Sequence, residues 1–579
     1  MKKSLGILLL LVAVLLAYAA FRPVRAPKDE ILQGGKNMRP YNILILTSES
    51  FNLRHLGCYG YPKPTSPTID QLAKEGVLFT QMVNASAWTN ESLISLFTSL
   101  ESGIHNVITR SRNIDPKWYT PIEILRDLGY DAPRLQGFQG DQNHSFVGFD
   151  DVEWRKTFDW FDINSGKIEQ PFLIFWHFLP AHLPYDAGDT YEKMFFREDM
   201  IRSAASRERI ARVRKDSVIL KSSVTFQPED SAAIHALYDA EIRRFDDFVK
   251  EAIAKLKREG LDKNTIVLIG CDHGEEILEH GHVGHSSTTG AGHMYDELIH
   301  VPFIMWAPGI LPEGKVISAQ MRTIDVMPTL FELVHVPVPS YFRGQSMLGV
   351  ITGREAPADR PAYVQTSKWG FGEPDPFNVK DYIYCVRTPR WKFVSFVSNK
   401  EPVREELFNL EEDPYEQKNL IEQHVKEANE FRVQLTARLI EYTKIKPPKI
   451  DVPVARTPGE KLLDFFGLTR AYDFSGVPHP KWIHPADNLA WAYAKTNGQI
   501  RLEWEGVKGC PYVIEYELGT GDYHLTGEVK VDGNVKDFGE FTPQYWSTYL
   551  VVRNPFKLRV SPDKTPRDWS EWVTFRFEP

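Results

Sequence analysis

The chain has 579 residues, a formal net charge of −9 and 42% hydrophobic residues. This length is too great for one hydrophobic core and suggests about three structural units. The negative charge argues against a nucleic-acid binder, because such a protein needs a basic face to displace counterions from phosphates.

The N-terminus has the layout of an export signal. Two lysines precede an apolar run from Leu5 to Ala20, and Ala17 to Ala19 offers small residues at the spacing that a signal peptidase needs. The run is short for a membrane span, which needs about 20 apolar residues. We therefore expect residues 1–25 to be a signal peptide or a single inner-membrane anchor. The remainder would lie in the periplasm or at the cell surface.

Four apolar runs predict the buried strands of an α/β domain. They begin, in chain order, at Ile43, Phe172, Ile266 and Val301. A run that is apolar at every position is typical of a strand covered on both faces. The clearest helix pattern extends from about Asp230 to Glu259. This alternation predicts a sheet with ligands gathered beyond the strand ends.

After Met347 the pattern changes. Aromatic and β-branched residues from Tyr363 to Phe396 predict a small antiparallel sheet, and residues 422–442 predict one helix. Prolines mark residues 446–480 as a linker. The four cysteines are too scattered to define a disulfide framework or a cysteine metal cluster.

The last 99 residues, 481–579, contain strand patterns of period two. Trp504, Tyr512 and the segment 556–560 resemble a fibronectin type III β-sandwich. Exposed aromatic side chains there would suit contact with a glycan. The alternative is that they form the aromatic core of the sandwich.

The densest group of chemically active residues follows the predicted strand that ends at Gly270. The segment Cys271–Glu276 comes first, and four histidines follow it: His280, His282, His285 and His293. A glycine-rich stretch of this kind places side chains at a cleft and indicates a metal or anion site. The alternative is a solvated polar loop.

Glu49 also follows a predicted strand, so it could meet Asp272 and His273 at one sheet edge. Mixed oxygen and nitrogen ligands suit Zn²⁺ or Mn²⁺ better than Ca²⁺ or Mg²⁺. We expect one divalent metal ion there.

Several motifs, in the same order along the chain, resemble the sulfatase family of the alkaline phosphatase superfamily. They are Glu49–Gly60, Thr65–Phe79, Asp272–Glu275, Met294–Pro302, Thr323–Thr329 and Glu406–Leu420. The resemblance covers residues 40 to 445. It implies an alkaline phosphatase-like fold, with helices around a large, mostly parallel sheet. The catalytic domain would span 38–345 and its antiparallel C-terminal subdomain 346–445.

The nucleophile position departs from the sulfatase pattern. Sulfatases carry a Cys or Ser in a C/S-x-P/A-x-R stretch, which is converted to formylglycine, whereas this chain reads Thr89-Asn-Glu-Ser-Leu93. A literal match at Ser203–Arg207 falls in a charged, helical pattern, and we regard it as accidental.

Glu49, Thr89 and the pair Asp272-His273 together resemble phosphoethanolamine transferases and lipoteichoic acid synthases of the same superfamily. In those enzymes a threonine oxygen attacks phosphorus and is drawn to the metal. The resemblance implies that Thr89 is both nucleophile and metal ligand, because a cation activates an otherwise weak hydroxyl nucleophile. A helix N-cap is the alternative role for Thr89, and Ser92 is the nearest rival nucleophile.

Further histidines are candidates for contact with the substrate. His182, in Pro180–Tyr185, resembles the family histidine that contacts the transferred group, and we assign it a catalytic role as a donor to the substrate or as the acid for the leaving group. We expect His285, His293 and His280 to bind substrate. A structural role is the alternative for each.

Together these expectations define a metal-dependent hydrolase. It would cleave a phosphoester or phosphodiester group of a small ester or of an envelope lipid or glycan. The alternatives are a sulfatase without formylglycine, a phosphoethanolamine- or phosphoglycerol-type transferase, and a non-catalytic glycan-binding protein. Known transferases of this type usually have several membrane spans. This chain has at most one, which favours hydrolysis.

Overall fold

The computed structural model describes residues 27–448 except 110–111, 113, 116, 133, 137–146, 150–168, 179–180, 290–291, 359, 369 and 371–378. Beyond residue 448 it describes the C-terminal strands and residues 569–572. The predicted signal or anchor and nearly all of the predicted linker lie outside these residues. No helix in the described part of the chain is long and apolar enough to span a bilayer. The chain divides into two compact units, Met1–Val452 and Pro453–Pro579.

The first unit is built on an eight-stranded sheet in the order β10-β2-β8-β5-β1-β4-β3, with β9 paired to β2. The strands of this sheet are β1 (Asn42–Ser48), β2 (Val77–Val83), β3 (Arg134–Gln136), β4 (Leu173–Phe178), β5 (Thr265–Cys271), β8 (His300–Trp306), β9 (Lys315–Ile317) and β10 (Met321–Arg322). A separate small hairpin is formed by β6 (Glu276–Ile277) and β7 (Val283–Gly284). Within the eight-stranded sheet, only the pairings of β8 with β2 and β5 are antiparallel. The mostly parallel α/β sheet predicted from sequence is confirmed.

Helices cover both faces of this sheet, which explains the continuous apolar runs. In β1, Ile43 and Ile45 pack into one hydrophobic cluster, whereas Leu44 and Leu46 pack into another. The helices in the described part of the unit are Pro27–Gly34, Pro67–Glu75, Thr89–Thr98, Ser102–His105, Pro121–Asp127, Asp189–Phe195, Ala204–Val213, Ser231–Arg258, Ser286–Thr289, Asp296–Ile299, Val326–Leu333, Leu348–Ile351 and Val425–Tyr442. Alternate side chains of a strand point to opposite faces, so two covered faces require apolar residues at every position.

The longest helix, Ser231–Arg258, agrees closely with its sequence pattern and also positions the loop after β1. Tyr238 is buried on this helix, and its hydroxyl donates to the Ser50 carbonyl (2.7 Å) while accepting the Asn52 N–H (2.8 Å). The helix therefore fixes the backbone that carries Glu49.

The C-terminal part of the first unit is a four-stranded antiparallel sheet: β11 (Ala362–Ser367), β12 (Asp381–Arg387), β13 (Trp391–Ser398) and β14 (Glu401–Asn409). Phe431 and Leu435 of the last helix pack on one face of this sheet. That helix begins at Val425, three residues later than the sequence indicated.

The described strands of the second unit form two sheets, in the orders β15-β17-β20 and β16-β22-β21-β18-β19. They are β15 (Trp482–His484), β16 (Leu489–Ala492), β17 (Gln499–Trp504), β18 (Pro511–Leu518), β19 (Leu525–Asp532), β20 (Val535–Glu540), β21 (Phe556–Pro562) and β22 (Val573–Glu578). Trp504 and Tyr512 are buried with ring centroids 5.5 Å apart, so these two aromatics belong to a core. The fibronectin type III resemblance stays a prediction.

Candidate active site

The candidate site lies at the carboxyl ends of three adjacent strands, β4, β1 and β5. The register pairs Thr47 of β1 with His177 on one side and with Gly270 on the other. Polar residues that follow these positions therefore emerge side by side. Ser50 adopts a left-handed conformation (φ 58°), and its N–H donates to Asp272 Oδ1 (3.2 Å). This turn joins the segment after β1 to the segment after β5.

Thr89 is the first residue of the helix Thr89–Thr98, and Trp88 is its N-cap. The N-cap alternative for Thr89 is therefore wrong. Its hydroxyl instead donates to Glu49 Oε1 (3.2 Å) and lies 3.3 Å from His273 Nε2. The positive end of the helix dipole and the first backbone N–H groups are at this position, where an incoming anion would be favoured.

Three residues around Thr89 form a buried group suited to a metal ion. Ligand atoms of Glu49, Asp272 and His273 all lie within 4.8 Å of one another. His273 Nδ1 donates to the Gly274 carbonyl (2.8 Å), so the lone pair on Nε2 faces the Thr89 hydroxyl. This tautomer leaves the ring ready to act as a ligand.

Asp272 is held by the backbone and presents one oxygen. Its Oδ1 accepts the N–H groups of Ser50 (3.2 Å) and His273 (2.8 Å). Its Oδ2 is buried and has no hydrogen bond from any residue that the structure describes. A buried carboxylate oxygen without a donor is costly unless a cation occupies the site. The residues present therefore fit a divalent metal ion.

His177 was missed by the sequence analysis and belongs to the same group. Its Nε2 lies 3.8 Å from Asp272 Oδ2 and 4.0 Å from Glu49 Oε2. Burial lowers the pKa of His177, so the ring is neutral near pH 7. The sequence did contain a signal for this residue. His177 directly follows the apolar run Phe172–Trp176, much as Glu49 follows the run Ile43–Leu46.

His182 lies near Glu49, with Nε2 3.9 Å from Glu49 Oε1. Its Nδ1 donates to the Leu183 carbonyl, and burial lowers its pKa to about 4. The ring is therefore neutral at pH 7, and its Nε2 is a proton acceptor. This arrangement suits a base better than the acid for the leaving group.

His285 is paired with a carboxyl that the sequence analysis left without a role. Its Nδ1 lies 2.7 Å from Glu275 Oε2, and Tyr185 donates to Glu275 Oε1 (3.2 Å). Burial raises the pKa of Glu275 well above its ordinary value and lowers that of His285 well below. The His285 ring lies 4.2 Å from the ring of His273, centroid to centroid.

His280 and His293 lie in a second cluster on the same loop. His293 Nε2 is 2.9 Å from Glu276 Oε2, and His280 Nε2 is 3.2 Å from Glu297 Oε1. Of the three histidines assigned to substrate, only His285 has its ring beside those of His273 and His182.

Both Ser92, the rival nucleophile, and Ser203, of the literal sequence match, make local hydrogen bonds. Ser92 Oγ donates to the Ser86 carbonyl (2.9 Å). Ser203 caps the helix Ala204–Val213 by accepting the Ser206 N–H (3.0 Å). This role supports the interpretation of the Ser203–Arg207 match as accidental.

Comparison with known proteins identifies the family. The Sulfatase family matches residues 41–336, and the family described as N-sulphoglucosamine sulphohydrolase, C-terminal, matches residues 290–445. The chain belongs to the sulfatase family, and it is a sulfatase-like ester hydrolase.

Similar proteins include sulfatases and a phosphonate hydrolase. Arylsulfatase K of Gallus gallus is 24% identical over 470 residues, covering 72% of this chain and 84% of the relative. The crystal structure of the phosphonate monoester hydrolase of Agrobacterium radiobacter has a TM-score of 0.56 at 19% identity and covers 69% of this chain and 96% of that chain. A 2-O GAG sulfatase has a TM-score of 0.54 at 22% identity, with coverages of 70% and 93%. At these identities the solved structures support the fold alone.

Proposed function

We propose that the protein is a metal-dependent phosphoester hydrolase that acts on an extracytoplasmic substrate through a covalent Thr89 intermediate. The observation that carries the proposal is the position of the Thr89 hydroxyl, 3.2 Å from Glu49 Oε1 and 3.3 Å from His273 Nε2 at the start of a helix. The extracytoplasmic location rests on the N-terminal sequence pattern.

Glu49, Thr89, Asp272 and His273 would hold one divalent ion. Zn²⁺ or Mn²⁺ fits this mixed oxygen and nitrogen donor set better than Ca²⁺ or Mg²⁺. When bound, such an ion lowers the pKa of a coordinated hydroxyl and neutralises charge on phosphoryl oxygens.

In the first step the Thr89 Oγ1–P bond forms while the bond from phosphorus to the leaving oxygen breaks. Glu49 Oε1 is the nearest acceptor for the hydroxyl proton. The N-terminal N–H groups of the helix stabilise the phosphoryl oxygens, and the leaving oxygen takes its proton from water.

In the second step water attacks phosphorus and the P–Oγ1 bond breaks. His182 Nε2 accepts the water proton, since its Nδ1 is already bonded to the Leu183 carbonyl. The Thr89 oxygen takes back the proton that Glu49 accepted in the first step, His182 releases the water proton to solvent, and phosphate or a phosphomonoester leaves. An acceptor alcohol in place of water would convert hydrolysis into transfer.

The chemistry of threonine favours phosphate over sulfate. In a formylglycine hydrate, one oxygen carries the sulfate and a second hydroxyl sits on the same carbon. Sulfate can leave because this second oxygen becomes the oxygen of an aldehyde. Thr89 has no second oxygen on that carbon, so a sulfate ester on it could leave only by attack at sulfur. A threonine phosphoester is open to in-line attack at phosphorus.

Sulfate ester hydrolysis is the second candidate function, and the similarity to arylsulfatase K favours it. A panel of nitrophenyl phosphate, bis(nitrophenyl) phosphate, nitrophenyl phenylphosphonate and nitrophenyl sulfate separates the two candidates. We expect turnover of at least one phosphorus ester to exceed sulfate turnover by about 100-fold or more, a transition-state difference of about 2.7 kcal/mol. Turnover of sulfate alone would reject the phosphoester proposal.

Acid quenching during turnover tests the covalent step. We expect peptide mass spectrometry to locate a phosphoryl group on Thr89, and the Thr89→Ala variant to lack it. A phosphoryl group on Ser92 instead would assign the nucleophile to the rival residue.

A further inference from the structure

A second group of polar side chains lies on the loop after β5, separate from the Thr89 hydroxyl. We call Glu276, His280, His293 and Glu297 the Glu276 cluster. Ligand atoms of Glu276, His293 and Glu297 lie within 4.8 Å of one another, and all three residues are buried. His280 Nε2 adds a fourth donor, 3.2 Å from Glu297 Oε1.

The hairpin β6–β7 fixes the first member of the cluster. Glu276 Oε1 accepts the backbone N–H groups of His280 (3.0 Å) and His282 (2.9 Å). Its other oxygen, Oε2, is left to face His293 Nε2 at 2.9 Å. A carboxylate held by one oxygen is preorganised to present the other to a ligand.

The close contacts within the cluster are not well-aligned hydrogen bonds. Glu276 Oε2, His280 Nε2, both ring nitrogens of His293 and both oxygens of Glu297 are buried without a hydrogen-bond partner among the described residues. Buried polar atoms without a partner lower the free energy of unfolding. A cation coordinated by several of these atoms would satisfy them together.

The charges around the cluster also favour a cation. Arg54 Nη1 lies 4.0 Å from Glu297 Oε2 and 4.0 Å from Glu279 Oε1. One guanidinium therefore faces two carboxyls, and a third, Glu276, lies beside Glu297. The three neighbouring carboxyls outnumber this one guanidinium, which favours a divalent ion at the cluster.

We propose that the Glu276 cluster binds a second divalent metal ion, Zn²⁺, through Glu276 Oε2, Glu297 and the imidazoles of His280 and His293. Two imidazoles and two carboxylates match the donors and coordination number of tetrahedral zinc. Ligand atoms about 2.0–2.2 Å from zinc are roughly 3.4 Å apart. The observed spacings need only small side-chain rotations to reach that value.

The position of this second site indicates a structural role. Glu276 and His280 belong to the loop that follows Asp272 and His273, whereas Glu297 and His293 flank the start of the helix Asp296–Ile299. His280 stacks on Tyr295 (3.6 Å), and Tyr295 packs against Phe408 of the antiparallel sheet. A bound ion would fasten the loop after His273 to the start of the helix Asp296–Ile299, where Tyr295 contacts this sheet.

Metal counting on the full chain tests the inference. The protein is stripped with a chelator, reloaded with Zn²⁺, dialysed and analysed by mass spectrometry for zinc per chain. We expect two ions in the wild type, one in His293→Ala and one in Glu49→Gln. His282→Ala is the matched control, because His282 uses its backbone N–H toward Glu276, and it should keep two ions.

The outcomes separate this inference from the proposed function. A wild-type chain with one ion, which Glu49→Gln loses and His293→Ala keeps, overturns the second site and leaves the catalytic ion in place. If Glu49→Gln keeps the zinc content of the wild type, the result instead contradicts the proposal of a catalytic ion beside Thr89.

A cobalt spectrum covers the case in which His293→Ala does not fold. Glu49→Gln loaded with Co²⁺ should then show the intense visible absorption of a tetrahedral complex. Its absence overturns the proposal.

Discussion

Two buried charged clusters in the first unit differ in how their charges are balanced. Between the helix Asp296–Ile299 and the antiparallel sheet, Asp296 contacts Arg387 Nη2 (2.7 Å) and Lys392 Nζ (3.1 Å). Lys392 also contacts Glu416 (2.7 Å). Two carboxylates and two fixed cations balance, so this cluster is electrically complete within the protein.

The proposed catalytic cluster around Thr89 is not balanced in that way. Asp272 and Glu49 face the imidazoles of His177 and His182, and burial lowers the pKa of both rings. Neutral imidazoles do not offset carboxylate charge. A cluster neutralised by its own side chains therefore joins elements together, whereas an unneutralised one is suited to an external cation and substrate.

The largest expected effect is on turnover in Thr89→Ala. Removing the proposed nucleophile should lower kcat/KM for the best phosphorus ester by about 10⁴-fold or more. The zinc content should stay near that of the wild type, because Glu49, Asp272 and His273 remain. Ser92→Ala, on the same helix, is the matched control and should keep turnover within about threefold. Equal turnover in Thr89→Ala and wild type would remove Thr89 from the mechanism.

Asp272→Asn should have opposite effects on function and stability. Metal affinity and turnover should fall by about 10²-fold or more, since a charged ligand is lost. In the metal-free protein the same change should raise the free energy of unfolding by about 1 kcal/mol, because a buried, unneutralised charge is removed while Oδ1 keeps its backbone donors. Urea unfolding in chelator measures the second effect. A destabilised metal-free variant would contradict the charge comparison.

Lys392→Met removes a cation from the balanced cluster and should destabilise the protein, whereas Asp272→Asn should stabilise the metal-free protein. It leaves Asp296 and Glu416 short of one cation, so the free energy of unfolding should fall by about 3–5 kcal/mol. Lys426→Met, at an exposed helix position, should change it by less than about 0.5 kcal/mol. An equally small loss in Lys392→Met would show that this cluster contributes little to stability.

Glu275→Gln should have the smallest effect of the four changes. It weakens the contact that orients His285 but leaves Thr89 and the proposed metal ligands in place. We expect a fall of about 10-fold in kcat/KM with little change in zinc content. Tyr185→Phe removes the other contact to the same carboxyl and should cost about threefold or less. Unchanged kinetics in Glu275→Gln would assign the pair a purely structural role.

Local patterns predicted much of the architecture. The four apolar runs all lie in strands of the large sheet, and the long helix agrees with its pattern to within about one residue at each end. The same reasoning selected Glu49 and Asp272 as polar residues after buried strands. Applied to the run before His177, it would have found that histidine too.

The family, the large sheet and the segments that meet near Thr89 follow from the amino-acid sequence alone, because ordered motifs and hydrophobic periodicity are properties of neighbouring residues. The division of the histidines between two clusters is instead a property of the folded chain. The direction of His280 and His293 depends on the β6–β7 hairpin and on the packing against the antiparallel sheet. The role of Trp88 as N-cap and the pairing of Glu275 with His285 likewise depend on backbone turns and contacts between residues distant in sequence.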